Sequence, residues 1–184
     1  DLHTLGRHEI QLGVLKRLRG TPLAQRSLPG QKAEYGMAYS AEPPYTVQHT
    51  DAVSADEVHT FVRLARYWDL VANSGRFART LALLLQGESA FAAFADFARW
   101  LWDTSAATSG LTPEALVDAL FDYLTAQRQL PAGTVRAALL ADYVASGARS
   151  NPKALQGHLP ERAAPAPSAT AALRQRQDRH LALR

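Results

Sequence analysis

Apolar residues change their spacing once along this chain, from every second residue before about position 50 to every third or fourth after it. In the first stretch, Ile10, Leu12 and Val14 alternate with polar or small residues across Glu9–Leu15, which predicts a strand, and Gly20-Thr21-Pro22 then turns the chain. Tyr35, Met37 and Tyr39 alternate, as do Tyr45 and Val47, on either side of Ser40-Ala41-Glu42-Pro43-Pro44. A small hairpin is expected there, and since two strands alone are marginally stable it has to pack on the helices later in the chain. Gln25 to Lys32, with Pro29-Gly30 and no apolar period, reads as a mobile loop.

From Ser54 onward the period is helical. Ser54-Ala55-Asp56-Glu57 has the form of a capping box, in which the hydroxyl accepts a free amide and the glutamate reaches back. The helix it starts is expected to bury Val58, Phe61, Val62, Ala65, Trp68 and Leu70 or Val71, with Arg63, Arg66 and Asp69 off that stripe. Asn73-Ser74-Gly75 kinks or stops it, and Arg76 to Leu85 resumes the helix as far as Gly87. A third helix is expected from Ser89 to Ala106 with Phe91, Phe94, Ala95, Ala98, Leu101 and Trp102 inward. Thr112-Pro113-Glu114 supplies a cap and a first-turn proline for a fourth, running to about Gln127 on Leu116, Leu120, Phe121 and Leu124. Pro131 begins a fifth, which carries Val135, Leu139, Leu140 and Tyr143 and ends near Gly147. The expected class is mainly α: a helical bundle preceded by an edge strand and a small β-hairpin.

Four segments stand in an order that resembles the carboxy-terminal region of cobalamin-binding radical SAM proteins. They are Gln11-Leu12-Gly13-Val14-Leu15-Lys16 with the Gly20-Thr21-Pro22-Leu23 turn, Tyr35-Gly36-Met37, Pro43-Pro44-Tyr45, and Arg66-Tyr67-Trp68-Asp69-Leu70 leading to Asn73-Ser74-Gly75-Arg76-Phe77. The likeness covers roughly residues 1–150 and rests on the set, since Gly-Thr-Pro alone is a weak signal. It implies that Glu9–Leu15 is the edge strand of a radical SAM barrel, with the turn beside bound S-adenosylmethionine, and that the helices form an appended domain of unknown function. With so little chain before the strand and no initiator Met, the sequence reads as the back part of a longer protein. The resemblance divides it into a barrel-edge remnant at 1–33, a hairpin plus helical domain at 34–148, and a basic Pro/Ala-rich tail at 149–184.

Composition then limits what these residues can hold. The chain has 184 residues, 47% hydrophobic and 20% charged, with no cysteine. A four-iron, four-sulfur cluster of the radical SAM kind needs three thiolates, so the resemblance places cluster, S-adenosylmethionine and cobalamin with the parent protein upstream of Asp1. The fragment itself is expected to be catalytically inert. The lack of disulfides, of a signal peptide and of a membrane-spanning apolar run fits a cytoplasmic protein. Charge is uneven: residues 1–148 hold 13 Lys/Arg against 15 Asp/Glu, a net of −2, whereas 149–184 hold 7 against 2, a net of +5. Residues 160–172 are rich in Pro and Ala, as in an extended linker, and Ala169 to Leu183 reads as a short basic helix. A solvated terminus accounts for that basicity better than nucleic acid does.

The candidate chemistry is sparse. Histidines 3, 8, 49, 59, 158 and 180 show no paired metal-ligand spacing, and Ser54, Ser74 and Ser89 read as caps or turn residues rather than nucleophiles. Lys16, Arg17, Arg19 and Thr21 follow the strand end. The resemblance implies that this end faces the nucleoside and substrate; the plain alternative is a solvated basic loop. Arg66, Asp69, Asn73 and Arg76 interleave with aromatics more densely than a core helix needs. They read either as a substrate wall or, preferentially, as a buried Arg66–Asp69 or Asp69–Arg76 pair fixing the kink, with Trp68 and Phe77 in the core. The function implied is a substrate-covering or accessory domain whose partners are the upstream barrel of the same polypeptide and an unidentified substrate. The competing class is a non-catalytic helical module that binds a protein or nucleic acid through its basic tail.

Overall fold

The structure is a computed structural model of the chain, and it describes residues 9–25 and 34–160. The Gln25–Lys32 loop, apart from Gln25, and the linker and basic helix placed after residue 160 lie outside the described residues. The chain is mainly helical with a two-stranded antiparallel hairpin before the long helices, as its apolar spacing implies.

The N-terminal segment keeps the alternation of a strand without its ladder. Ile10, Leu12 and Val14 are partly buried while Gln11, Gly13 and Leu15 are exposed, and Leu12 packs against the helical core. Among the described residues, however, no strand spans Glu9–Leu15; backbone pairing is confined to Leu15–Arg17. There Val47 N donates to Leu15 O at 2.8 Å and Arg17 N to Tyr45 O at 2.9 Å, around an antiparallel bridge between Lys16 and Thr46. Upstream of it the chain is held to the helices instead, by Leu12 in the core and by Ile10 O, which accepts from Asn73 Nδ2 at 3.1 Å. The strand expected at Glu9–Leu15 is thus corrected to a short pairing at its far end, made within the chain.

A four-residue helical turn, α1 (Pro22–Gln25), comes next; its Thr21 hydroxyl accepts from Ala24 N at 3.2 Å. The hairpin pairs β1 (Ala38–Tyr39) with β2 (Val47–His49) through Ala38 opposite His49 and Tyr39 opposite Val47, with a bulge between. β2 is therefore flanked by β1 on one side and by Leu15–Arg17 on the other, and it rests on the first long helix. Tyr35 and Gly36 both have positive φ, and a Cβ built on Gly36 would lie 1.9 Å from an oxygen of the Asp51 carboxylate. Only glycine occupies that position without cost. Gly36→Ala is expected to lose about 1–2 kcal/mol, whereas Gly13→Ala, with nothing within 4 Å of its built Cβ, is expected to change little. Paired urea melts check this, and equal effects at the two sites would contradict it.

Five longer helices complete the chain's described part: α2 (Ala55–Trp68), α3 (Ala78–Leu84), α4 (Ala90–Ser105), α5 (Pro113–Asp122) and α6 (Ala132–Ala145). The starts of α2, α4 and α5 are those the caps announce. Ser54 and Glu57 form the capping box of α2, and Ser89 and Thr112 accept from the third residue onward to start α4 and α5. The Ser54 amide and hydroxyl hold the Glu57 carboxyl below its ordinary range. Both α2 and α5 run on into a widened π turn, Asp69–Asn73 and Tyr123–Gln127. The π turn after α2, followed by Gly75 at φ 67, makes the kink, and α3 begins at Ala78 rather than at Arg76.

The core lies between the helices. Phe94, Phe97 and Tyr123 are buried, with Trp68 and Trp100 packed against them, and their rings meet at centroid distances of 4.9–6.4 Å, most of them edge to face or tilted. Two inward assignments are corrected: Phe91 is 69% exposed and Val62 46% exposed, while Leu64, Tyr67 and Phe97 are buried instead. Helix α4 is apolar on too many sides for spacing to fix its rotation; packing of Phe94 and Phe97 among the neighbouring helices decides it.

The packed body also continues past Gly147. Pro152 and Leu155 are fully buried, and the short 3₁₀ turn at Lys153–Leu155 lies against α5 and α6. Ala154 N donates to Asp118 Oδ1 at 2.8 Å and Arg136 Nε to Ala154 O at 3.1 Å. The first residues of the expected basic tail are thus part of the helical body.

Candidate functional site

The basic turn is built as one unit with the hairpin. Lys16 and Arg19 are exposed, whereas Arg17 is half-buried with its guanidinium 5.7 Å from the Tyr39 ring centroid and 6.0 Å from that of Tyr45. Cation–π contact of this kind holds the side chain across the hairpin face. Thr21 is a turn residue: its hydroxyl donates to Leu18 O at 2.8 Å while capping α1, and Gly20 at φ 81 allows the turn.

The second group of candidates, gathered in sequence, is dispersed in space. Arg66 Nε donates to Thr108 O at 3.3 Å beside Tyr67, whose hydroxyl donates to Ala107 O at 2.9 Å, so this pair clamps the loop after α4. Asp69 Oδ1 accepts from Asn73 Nδ2 at 2.8 Å, and the same amide group reaches Ile10 O at 3.1 Å, pinning the N-terminal segment to the π turn. Arg76 stands apart, at a cleft beside the start of α3. The expected Arg66–Asp69 or Asp69–Arg76 pair does not form: the one ion pair among the described residues is the exposed Asp96–Arg99 contact at 3.0 Å. The widened π turn places Asp69 over Asn73 instead, and the Asn73 amide serves both the carboxylate and the distant Ile10 carbonyl. Trp68 and Phe77 do pack in or against the core, and Trp68 Nε1 is buried with no acceptor among the described residues.

The cleft lies where the start of α3, the start of α5 and the end of α6 meet, with a volume of about 210 Å³. Its rim carries Arg76 and Arg149, and its wall is Phe77, Pro113, Val117 and Ala148. Glu114 and Tyr143 are joined at its edge through Ser150. The Ser150 hydroxyl donates to Glu114 Oε1, and the Tyr143 hydroxyl meets Ser150 at both its carbonyl and, at 2.9 Å, its Oγ. The Ser150 hydrogen bond, the local backbone and the Thr112 hydroxyl, with Arg76 nearby, hold the Glu114 carboxyl below its ordinary range. Arg76 stands out in the sequence; Glu114, Tyr143, Arg149 and Ser150 do not, and 36 residues separate Glu114 from Ser150. Ser150 thus links the end of α6, through Tyr143, to the start of α5, through Glu114.

A two-stranded hairpin set on a bundle of helices defines a mainly helical domain. Residues 33–180 match a family described as a protein of unknown function, DUF4080. The chain belongs to that family, which makes its helical region a domain of unknown function. No curated protein matches the chain, and no solved structure matches it. Among the described residues no helix is long and apolar enough to cross a membrane.

Proposed function

We propose that this chain is the carboxy-terminal, substrate-covering domain of a cobalamin-dependent radical SAM enzyme and carries no catalytic group of its own. The four ordered segments that resemble such proteins support the reading. The observation that carries it is the antiparallel docking of Leu15–Arg17 on residues 45–47, by the two backbone hydrogen bonds that make the Lys16–Thr46 bridge. Through it, Lys16, Arg17 and Arg19 are fixed to the same body as the helices. A turn placed beside S-adenosylmethionine by a preceding barrel would bring the helical body to the barrel mouth, where it excludes water and narrows the choice of substrate. Arg17, braced by Tyr39 and Tyr45, is the cation best held to meet a carboxylate or phosphate there. With no cysteine in 184 residues, the chain supplies no thiolate to a cluster, and in this reading the cluster and cobalamin belong to the preceding part of the polypeptide.

The test uses the full-length polypeptide. Its segment before Asp1 is expected to contain three closely spaced cysteines, to take up a four-iron cluster on anaerobic reconstitution, and to cleave S-adenosylmethionine. Arg17→Gln is expected to raise the KM for S-adenosylmethionine or substrate about tenfold with the cluster absorbance unchanged. A polypeptide without those cysteines would overturn the reading and leave a non-catalytic interaction module. So would a stoichiometric cluster held by residues 1–184 alone.

A further inference from the structure

We infer that the cleft between α3, α5 and α6 is a binding site for a small molecule that carries one oxyanion, a carboxylate or a phosphate, on a short apolar body. This inference is independent of the covering role. Two guanidiniums, Arg76 and Arg149, line the cleft, and neither side chain has a hydrogen-bond or ion-pair partner among the described residues. Unpaired arginine is the side chain best shaped for a planar or tetrahedral oxyanion, which it meets with two parallel donors. Glu114, the one carboxylate in the lining, is set against two guanidiniums, so the cleft keeps a net positive charge. Phe77 and Val117, buried in the core on their far sides, form its apolar wall together with Pro113 and Ala148.

Size narrows the ligand further. A volume of about 210 Å³ is below the roughly 300–1,000 Å³ of pockets that take drug-sized molecules, so a nucleotide is too large and a short-chain acid or a phosphorylated small metabolite is the right scale. The site is also firmly built. Tyr143 and Ser150 tie the end of α6 to Glu114 at the start of α5, and the buried Phe77 sets Arg76 immediately before α3. Arg76 and Arg149, both exposed, thus stand on the two loops that enter α3 and leave α6, and both line the one cleft.

The experiment is an amide-resolved NMR titration of the purified chain with butyrate and, separately, inorganic phosphate, each against sodium chloride at matched ionic strength. Saturable shifts are expected at Arg76, Val117 and Arg149. Tighter binding of butyrate assigns the head group as carboxylate, tighter phosphate as phosphate, and saturation by neither overturns the site. Arg76→Gln and Arg149→Gln are each expected to weaken binding about tenfold, while Arg99→Gln, in the exposed pair on α4, leaves it unchanged. Glu114→Gln, which keeps an acceptor for Ser150, is expected to tighten binding a few-fold by removing a negative charge beside the anion. Wild-type affinity in both arginine variants, with melting curves showing them folded, would overturn the proposal, as would weaker binding by Glu114→Gln.

Discussion

Asp142→Ala is expected to cost the fold about 3–5 kcal/mol, a large share of the stability of a domain this size. Helix α3 begins after Phe77, which offers no side-chain cap. Among its first amides, that of Thr80 is buried and that of Arg79 partly so. Asp142 of α6 supplies the missing acceptor: its carboxylate takes Arg79 N at 3.0 Å, Thr80 N at 2.8 Å and the Thr80 hydroxyl at 2.8 Å. Thr80 is wholly buried and Asp142 only 5% exposed. Alanine would strand three donors at once, and an unsatisfied buried donor costs about 1–3 kcal/mol. Asparagine keeps one acceptor but turns an NH₂ toward donors, so Asp142→Asn is expected to lose about 1–3 kcal/mol. Urea denaturation followed by far-UV circular dichroism reads both. A loss below about 1 kcal/mol in Asp142→Ala would show that α3 does not depend on this cap.

Leu155→Ala is expected to cost about 2–5 kcal/mol, although the residue lies beyond the last long helix. Leu155 is fully buried, and its turn is held by Asp118, by Arg136 and, just upstream, by Tyr143 at Ser150. Those three polar groups sit on α5 and α6, so removing the segment would uncover apolar surface and leave them without partners together. A chain ended at Gly147 is therefore expected to be destabilised more than Leu155→Ala. Limited proteolysis should leave intact the stretch from about Ser54 to about Leu159. Early cleavage between Gly147 and Leu155, together with an unchanged urea midpoint for Leu155→Ala, would contradict the docking.

These two positions also mark where sequence reading stops. Asp142 lies on a helix that the pattern of Val135, Leu139 and Tyr143 predicts well, yet it reads as an ordinary polar position because its donors are 62 and 63 residues away. Nothing in the spacing around Leu155 signals burial, since a single 3₁₀ turn has too few residues to display a period. The cleft is legible in part: Arg76 stands out among aromatics, while Arg149 looks like one more cation of a basic tail.

The sequence by itself determined where α2, α4 and α5 begin, because a cap acts within one turn: Ser54 with Glu57, Ser89, and Thr112 before Pro113 each sit where a helix starts. It determined the class as well, since the change from alternation to a three- and four-residue period is a local property of the chain. The face each helix turns inward was decided by tertiary packing. Val62 and Phe91 are as apolar as Leu64 and Phe97, and only the shapes of the neighbouring helices choose between them. The same holds for the polar contacts that define the cleft and the α3 cap. Their partners lie far apart along the chain, and a hydrogen bond across such a gap leaves no period in the residues between.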